Sequence, residues 1–349
     1  MALDELLVGV DPHDESNLSI EMKGMITTEC FENPWYYFRE IARIPVQGSM
    51  KPSVVKANRG NIALWWCYFN HITTFLIQPR QTGKSVNIAS LDRYLLNFGL
   101  VHSSIHLLTK EDQLRRNDVE RLKEYEDVLP MYLRRSTPKK DPSNQEYIYL
   151  SSVDNKYETH VPRGDEKGAY KVGRGFTSAN IRIDEFAYIK WLKATLTTIL
   201  STTNAAFESA RENQAHHGIV LATTAGKKDD RDGKFAYQIL TNSFTFTDQI
   251  YDAQNHEDLR KMILASSTNG FAINCTFGHR QLGISDATHY DNIRKAMISG
   301  EEADRDYFNI WTSGGIGSPL SPDQLDGLRA NQREDFVPEI HPKMRYMTK

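Results

Sequence analysis

Apolar positions recur at helical spacing in two aromatic-rich stretches near the N-terminus, PWYYFREIARI (34–44) and NIALWWCYFNHITTF (61–75). Each predicts an amphipathic helix that leads into a core. The preceding GVDPHDESNLS (9–19) is made of turn formers and acids and predicts a loose segment. From Phe75 onward the pattern changes to short apolar runs alternating with amphipathic stretches, which is the signature of an α/β fold with a mostly parallel sheet flanked by helices. FLIQP (75–79), SIHLLT (104–109), NIRID (180–184), GIVLATTAG (218–226) and FAINCTFG (271–278) read as strands, while GKSVNIASLDRYLLNF (83–98) and residues 111–129 read as helices. EYIYLSS and NKYETHV (about 146–161) form a strand pair turning at Asp154-Asn155. A long helix is expected from Glu185 into ESAREN (208–213), and beyond Asp286 the polar, helix-like DNIRKAMISGEEADRDYFNIW and the loop SGGIGSPLSP suggest an appended subdomain. The expected organisation is an N-terminal helical extension (1–60), a core (61–285) and a small C-terminal subdomain (286–349).

Composition narrows the class without choosing a function. The chain has 349 residues, enough to bury a large core, and no stretch approaches the roughly 20 apolar residues that span a bilayer. Its N-terminus carries acids where a secretory signal needs bases, which predicts a cytosolic protein. Cys30, Cys67 and Cys275 lie far apart with no CxxC pair, so neither a disulfide framework nor a thiolate zinc site is encoded, and buried apolar roles are expected. A formal net charge of -3 exerts no global pull on nucleic acid. Any contact with DNA must then be a local patch or a ring built by assembly.

The candidate chemistry sits at Gln78-Pro79-Arg80-Gln81-Thr82-Gly83-Lys84-Ser85, between an apolar strand and an amphipathic helix. A phosphate-binding loop belongs at such a junction, because backbone N–H groups and a helix N-terminus there attract anions. Lys84 can reach the β- and γ-phosphates of ATP, and the Ser85 hydroxyl can ligate Mg²⁺. Gln78 replaces the first glycine of the usual pattern, so on the loop alone a plain strand-to-helix turn is an equal alternative. The strand Ile181 to Glu185, ending in two acids about a hundred residues downstream, supplies the missing partner. In additional-strand P-loop ATPases the aspartate at this place holds magnesium and the glutamate orients the attacking water, roles that fit Asp184 and Glu185. Helix capping by the same two acids is compatible with that chemistry. Thr223-Thr224-Ala225-Gly226, at the end of another apolar run, is placed to sense the γ-phosphate, although a buried strand with a glycine turn reads equally well there.

These residues resemble the large subunits of tailed-phage and herpesvirus-type terminases, the motors that package viral DNA. The resemblance rests on a deviant loop with Arg80 three residues before Gly83, KVGRGF (171–176) ahead of the acidic strand, the hydrophobic strand ending in Asp184-Glu185, and Thr223 to Gly226. Residues 106–130, a strand followed by a charged helix ending Leu-Pro, match as well, and the whole spans roughly 75–234. It implies an additional-strand P-loop ATPase fold, with ATP and Mg²⁺ as cofactors. Arg80 would stabilise transition-state charge, and Thr223, Thr224 and Gly226 would couple hydrolysis to movement. A further arginine acting across a subunit boundary is implied, with Arg134, Arg135 and Arg174 as unranked candidates. Implied partners are double-stranded DNA, a portal protein and procapsid, and a small terminase subunit. The working form would be a ring of five, with a monomer in isolation, in the host cytoplasm and away from membranes.

Two departures stand beside the resemblance. Upstream of the loop there is no clear adenine motif, Gln47 being a weakly supported candidate. Too little length follows Gly226 for both a linking subdomain and the C-terminal nuclease of full-length terminases, so no DNA cleavage is expected from this chain. His102, His106 and the pair His216-His217 lack a cysteine or carboxylate cluster at ligand spacing and are not read as zinc ligands. Trp65 and Trp66 are expected in the core, and KKDDR (227–231) as a solvated turn. Two alternatives stay open: a helicase-like nucleic-acid-stimulated ATPase, and a nucleotide-binding structural module that does not hydrolyse.

Overall fold

The computed structural model describes residues 5–313 apart from Gln47, Pro138, Arg163 and Phe176. Its centre is a sheet of β1 (Thr73–Ile77), β2 (Ser104–Leu108), β3 (Tyr147–Leu150), β4 (Asn155–His160), β5 (Asn180–Asp184), β6 (Gly218–Thr223), β7 (Phe244–Thr245) and β8 (Ala272–Thr276). Their spatial order is β3-β4-β2-β5-β6-β1-β8-β7, and every neighbouring pair is parallel except β3 with β4. All of β5 and all of β6 are buried, as strands covered on both faces must be. β6 lies between β1, which feeds the glycine-lysine loop, and β5, which ends in the acids. That inserted strand is the mark of the additional-strand P-loop architecture, and the fold expectation is met.

The longer helices among the described residues are α1 (Ile20–Glu32), α2 (Arg59–Phe69), α3 (Lys84–Phe98), α4 (Asp112–Asp127), α5 (Glu166–Arg174), α6 (Leu192–Glu212), α7 (Arg231–Thr241), α8 (His256–Leu264), α9 (Asp286–Ala296) and α10 (Gly300–Phe308). On one face of the sheet, Ile105, Leu107 and Tyr157 pack with Leu91 and Leu95 of α3, Leu122 of α4 and the aromatic residues Tyr37, Phe38 and Trp65. On the other, Ile181, Ile183, Ile219 and Leu221 pack with Leu192 and Leu196 of α6 and with Trp311. Trp65 stacks on Phe38 at 4.2 Å, so this aromatic run is core, and all three cysteines are buried. The described residues up to Thr312, α9 and α10 included, form one compact unit. Residues 314–349 of the expected subdomain, and Gln47, lie outside the described residues. Among the described residues no helix is long and apolar enough to cross a membrane.

Three local expectations are corrected. The second aromatic helix stops at Phe69 instead of running to residue 75, because His71 adopts a left-handed φ of 59° and Thr73 already pairs with Ala272. Residues 9–19 are pinned: Tyr132 Oη donates to Pro12 O at 2.9 Å, and the His13 ring lies 3.0 Å from Ile41 O. The long helix starts at Leu192, well after Glu185. Left-handed backbone at Glu185 and Trp191 breaks the expected continuation, and Asp232 of α7 accepts the Trp191 and Leu192 N–H groups at 3.0 and 3.2 Å. A cap borrowed from a distant helix is invisible to local periodicity.

Candidate active site

The loop from Gln78 to Gly83 turns the chain from the buried strand β1 into α3, whose first residue is Lys84. Gly83 sits at the helix N-cap with φ 90° and ψ 12°, a conformation glycine adopts at no steric cost. Gln78 fills the place of the absent glycine with its side chain fully buried. Room for it exists because α2 carries Gly60 there: a Cβ on Gly60 would lie 2.5 Å from Gln78 Nε2. Thr82 Oγ1 closes the loop on itself by donating to Pro79 O at 2.7 Å, and the Gln78 N–H reaches Thr223 O at 3.3 Å. The deviant loop is therefore keyed to α2 by the side chain that replaced glycine and to β6 by the Gln78 backbone N–H.

Lys84 is 7% exposed, and its Nζ lies 3.3 Å from Glu185 Oε1. Glu185 holds a left-handed φ of 54°, which costs a non-glycine residue free energy and swings its side chain off the end of β5 into the cleft. Thr223 Oγ1 lies 3.5 Å from the other Glu185 carboxylate oxygen, a weak contact. Tyr188 ties the next turn together, donating to Ala225 O at 2.5 Å and sitting 3.2 Å from Thr224 Oγ1. The ends of β1, β5 and β6 thus meet where α3 points its N-terminus, and Lys110 and Arg121 complete the rim of an open cleft lined by residues 79–86, Glu185 and Thr224.

Asp184 lies beside Ser85 and Asp118 at the floor, with its Oδ1 buried and without a hydrogen-bond partner. Burial raises the Asp184 carboxyl above the ordinary carboxylate range, opposed by Lys84 and reinforced by Glu185. Burial likewise pushes Asp118 up to about 7, with Asp184 adding to the shift. A buried, unsatisfied carboxylate oxygen beside a hydroxyl and a second acid is an oxygen-donor set that fits a magnesium ion. Lys84 and Ser85 open α3 beside Asp184 at the end of β5.

Arg80 also lines the cleft but is tied to α10. Its Nε lies 3.0 Å from Asp306 Oδ2, and its N–H donates to Asp306 O at 2.7 Å, so α10 grips the loop by main chain and side chain together. Gly226 meets the same C-terminal segment: a Cβ there would come 2.9 Å from the Trp311 ring, and Thr312 N–H donates to Gly226 O at 3.2 Å. Arg134 Nε instead donates to Leu129 O at 2.8 Å, Arg135 lies 5.4 Å over the Phe31 ring, and Arg174 ends α5 on an exposed turn. None of the three lines the cleft. Sequence reasoning missed Lys110, Arg121, Tyr188, Asp306 and Trp311. Tyr188 carried a local signal, three residues after Glu185, whereas Asp306 is brought in only by the packing of α10.

No family model matches the chain, and no curated protein matches it. Among solved structures it is similar to the large terminase of a thermophilic bacteriophage in complex with ADP, at 10% identity and a TM-score of 0.47 over 73% of this chain and 54% of that one. The bacteriophage HK97 large terminase aligns at 11% identity and a TM-score of 0.45, over 72% of this chain and 43% of that one. The chain thus spans about half the length of these two proteins. The Thermus phage P74-26 large terminase ATPase domain aligns at 13% identity and a TM-score of 0.48, over 74% of this chain and 94% of that one. All three of these solved structures are large terminases of phages.

Proposed function

We propose that this chain is the ATP-hydrolysing motor domain of a terminase large subunit, translocating double-stranded DNA into a viral capsid. The reading is carried by one observation: Lys84, Glu185, Thr223 and the unpartnered Asp184 oxygen converge at the N-terminus of α3. The loop amides and Lys84 hold the β- and γ-phosphates of ATP, and Lys84 leaves Glu185 as they arrive. The freed Glu185 carboxylate orients the attacking water and takes its proton. Ser85 and Asp184 would hold Mg²⁺, which when bound neutralises phosphate charge. Arg80, released from Asp306, stabilises the charge that develops at the γ-phosphate.

Coupling follows from the same contacts. Thr223 and Thr224 lie between Glu185 and the turn that Gly226 shares with Trp311 and Thr312, so a change at the γ-phosphate reaches the segment after α10 through bonded neighbours. In this reading one of Arg134, Arg135 and Arg174 acts across a subunit boundary of a five-membered ring; Arg174 is exposed, whereas Arg134 and Arg135 would first leave Leu129 O and the Phe31 ring. The portal, procapsid and small subunit are the partners that such a motor requires, in the host cytoplasm.

The test is ATP hydrolysis by the purified chain with and without magnesium and double-stranded DNA. Lys84→Ala is expected to lose binding and turnover, and Glu185→Gln to bind ATP while turnover falls about 10²–10⁴-fold. Duplex stimulation without strand separation favours the translocase over a helicase. Unchanged turnover in Glu185→Gln would remove Glu185 from the water-orienting role, and nucleotide binding without hydrolysis in any assembly would leave a non-hydrolysing module.

A further inference from the structure

His106 on β2 stands in register with Glu158 on the neighbouring parallel strand β4, and Leu108 with His160. Strand alternation places Glu158 and His160 on one face of β4, and lateral pairing places His106 on that same face. The His106 Nδ1 and His160 Nε2 atoms are 3.0 Å apart, and His106 Nε2 is 3.5 Å from Glu158 Oε2. One ligand atom from each of the three side chains lies within 4.8 Å of the others. His106 is 5% exposed whereas the Glu158 side chain is 42% exposed, so the cluster has a buried wall and a rim that an ion can reach from solvent.

We propose that His106, Glu158 and His160 form a binding site for a borderline transition-metal ion, with zinc as the type, leaving a fourth position for water. Two imidazole nitrogens and one carboxylate oxygen suit zinc or cobalt and not magnesium, which prefers oxygen donors and retains its waters. Ligation by an imidazole needs its uncharged form, which is the ordinary state of a histidine at neutral pH. Tetrahedral zinc bonds of this kind separate neighbouring ligand atoms by about 3.4 Å, and because His106 gives an ion only one of its two nitrogens, the three donors, which lie within 4.8 Å of one another, close on it by side-chain rotation. The site clips the edge hairpin β3–β4 to the parallel sheet. It is independent of the nucleotide reading, since none of its residues lines the phosphate-loop cleft.

The test is a Co²⁺ titration of the full chain in excess Mg²⁺, read by the visible absorption of tetrahedral cobalt and by displacement with Zn²⁺. One equivalent is expected per chain, with affinity weakened at least about tenfold in both His160→Ala and Glu158→Gln. Zn²⁺ is also expected to raise the thermal midpoint of the wild type and not of either variant. Both substitutions are at partly exposed positions, and circular dichroism checks that each variant is folded. Absence of binding by the wild type, or binding of equal stoichiometry and affinity in the two folded variants, overturns the site.

Discussion

Arg80 and Gly226 show how single residues connect the candidate active site to the C-terminal segment. Arg80 is held by Asp306, and in its proposed role it must exchange that carboxylate for the γ-phosphate. Arg80→Ala is expected to lower hydrolysis at saturating ATP by about 10³–10⁵-fold while ATP affinity changes little. Equal losses of binding and turnover, read by titration and by steady-state kinetics, would assign Arg80 to holding the nucleotide. Gly226 is needed for closeness, not for backbone freedom: a Cβ would press on the Trp311 ring at 2.9 Å and on Ala187 at 3.0 Å. Gly226→Ala should therefore cost about 1–3 kcal/mol in urea unfolding, and shortening the opposing ring in Gly226→Ala/Trp311→Leu should recover part of it. No loss in the single variant would mean that the segment beyond α10 yields freely.

Between elements, the ion pair of Asp92 and Arg182 sets α3 against β5. Arg182 Nε donates to Asp92 Oδ1 at 2.7 Å with both side chains buried, and the guanidinium lies 4.8 Å over the Tyr68 ring. Burial pushes the Asp92 carboxyl up to about 6, opposed by the charge and hydrogen bond of Arg182. The pair fixes the helix that begins with Lys84 relative to the strand that ends in Asp184, so the two halves of the site inherit their spacing from it. Arg182→Met strands a buried carboxylate and is expected to cost about 3–5 kcal/mol in urea unfolding. Arg182→Met/Asp92→Leu removes both charges and should be much closer to the wild type; equal losses in single and double variants would show that packing, not charge pairing, sets the cost.

Across the whole molecule, burial lowers His106, His160, His216 and His217 from 6.5 to about 4. Between those values the unfolded chain binds more protons than the folded one, so stability from these groups is full above pH 6.5 and is lost as pH falls toward 4. The thermal midpoint should fall steadily across that window, and a flat midpoint would mean that the imidazoles protonate in the fold without cost. Much of this architecture is legible in the sequence, because strands covered on both faces are continuous apolar runs and the parallel core repeats them. The order of GKS, Asp184-Glu185 and Thr223-Thr224 along those runs likewise points to one cleft, since parallel strands deliver their C-terminal ends to the same edge. Local text cannot carry the rest. That Gln78 fits depends on Gly60 of another helix, that α6 starts late depends on Asp232, and that Arg80 is held depends on Asp306. His106 meets Glu158 and His160 only through a register between strands about fifty residues apart in the chain. The sequence by itself determined the central strands, the existence of most helices and the residue types that stand at each strand end, because those follow from local periodicity and residue type. The tertiary structure alone decided which distant side chain caps, restrains or ligates which group, because those contacts are set by packing between elements whose separation along the chain carries no signal.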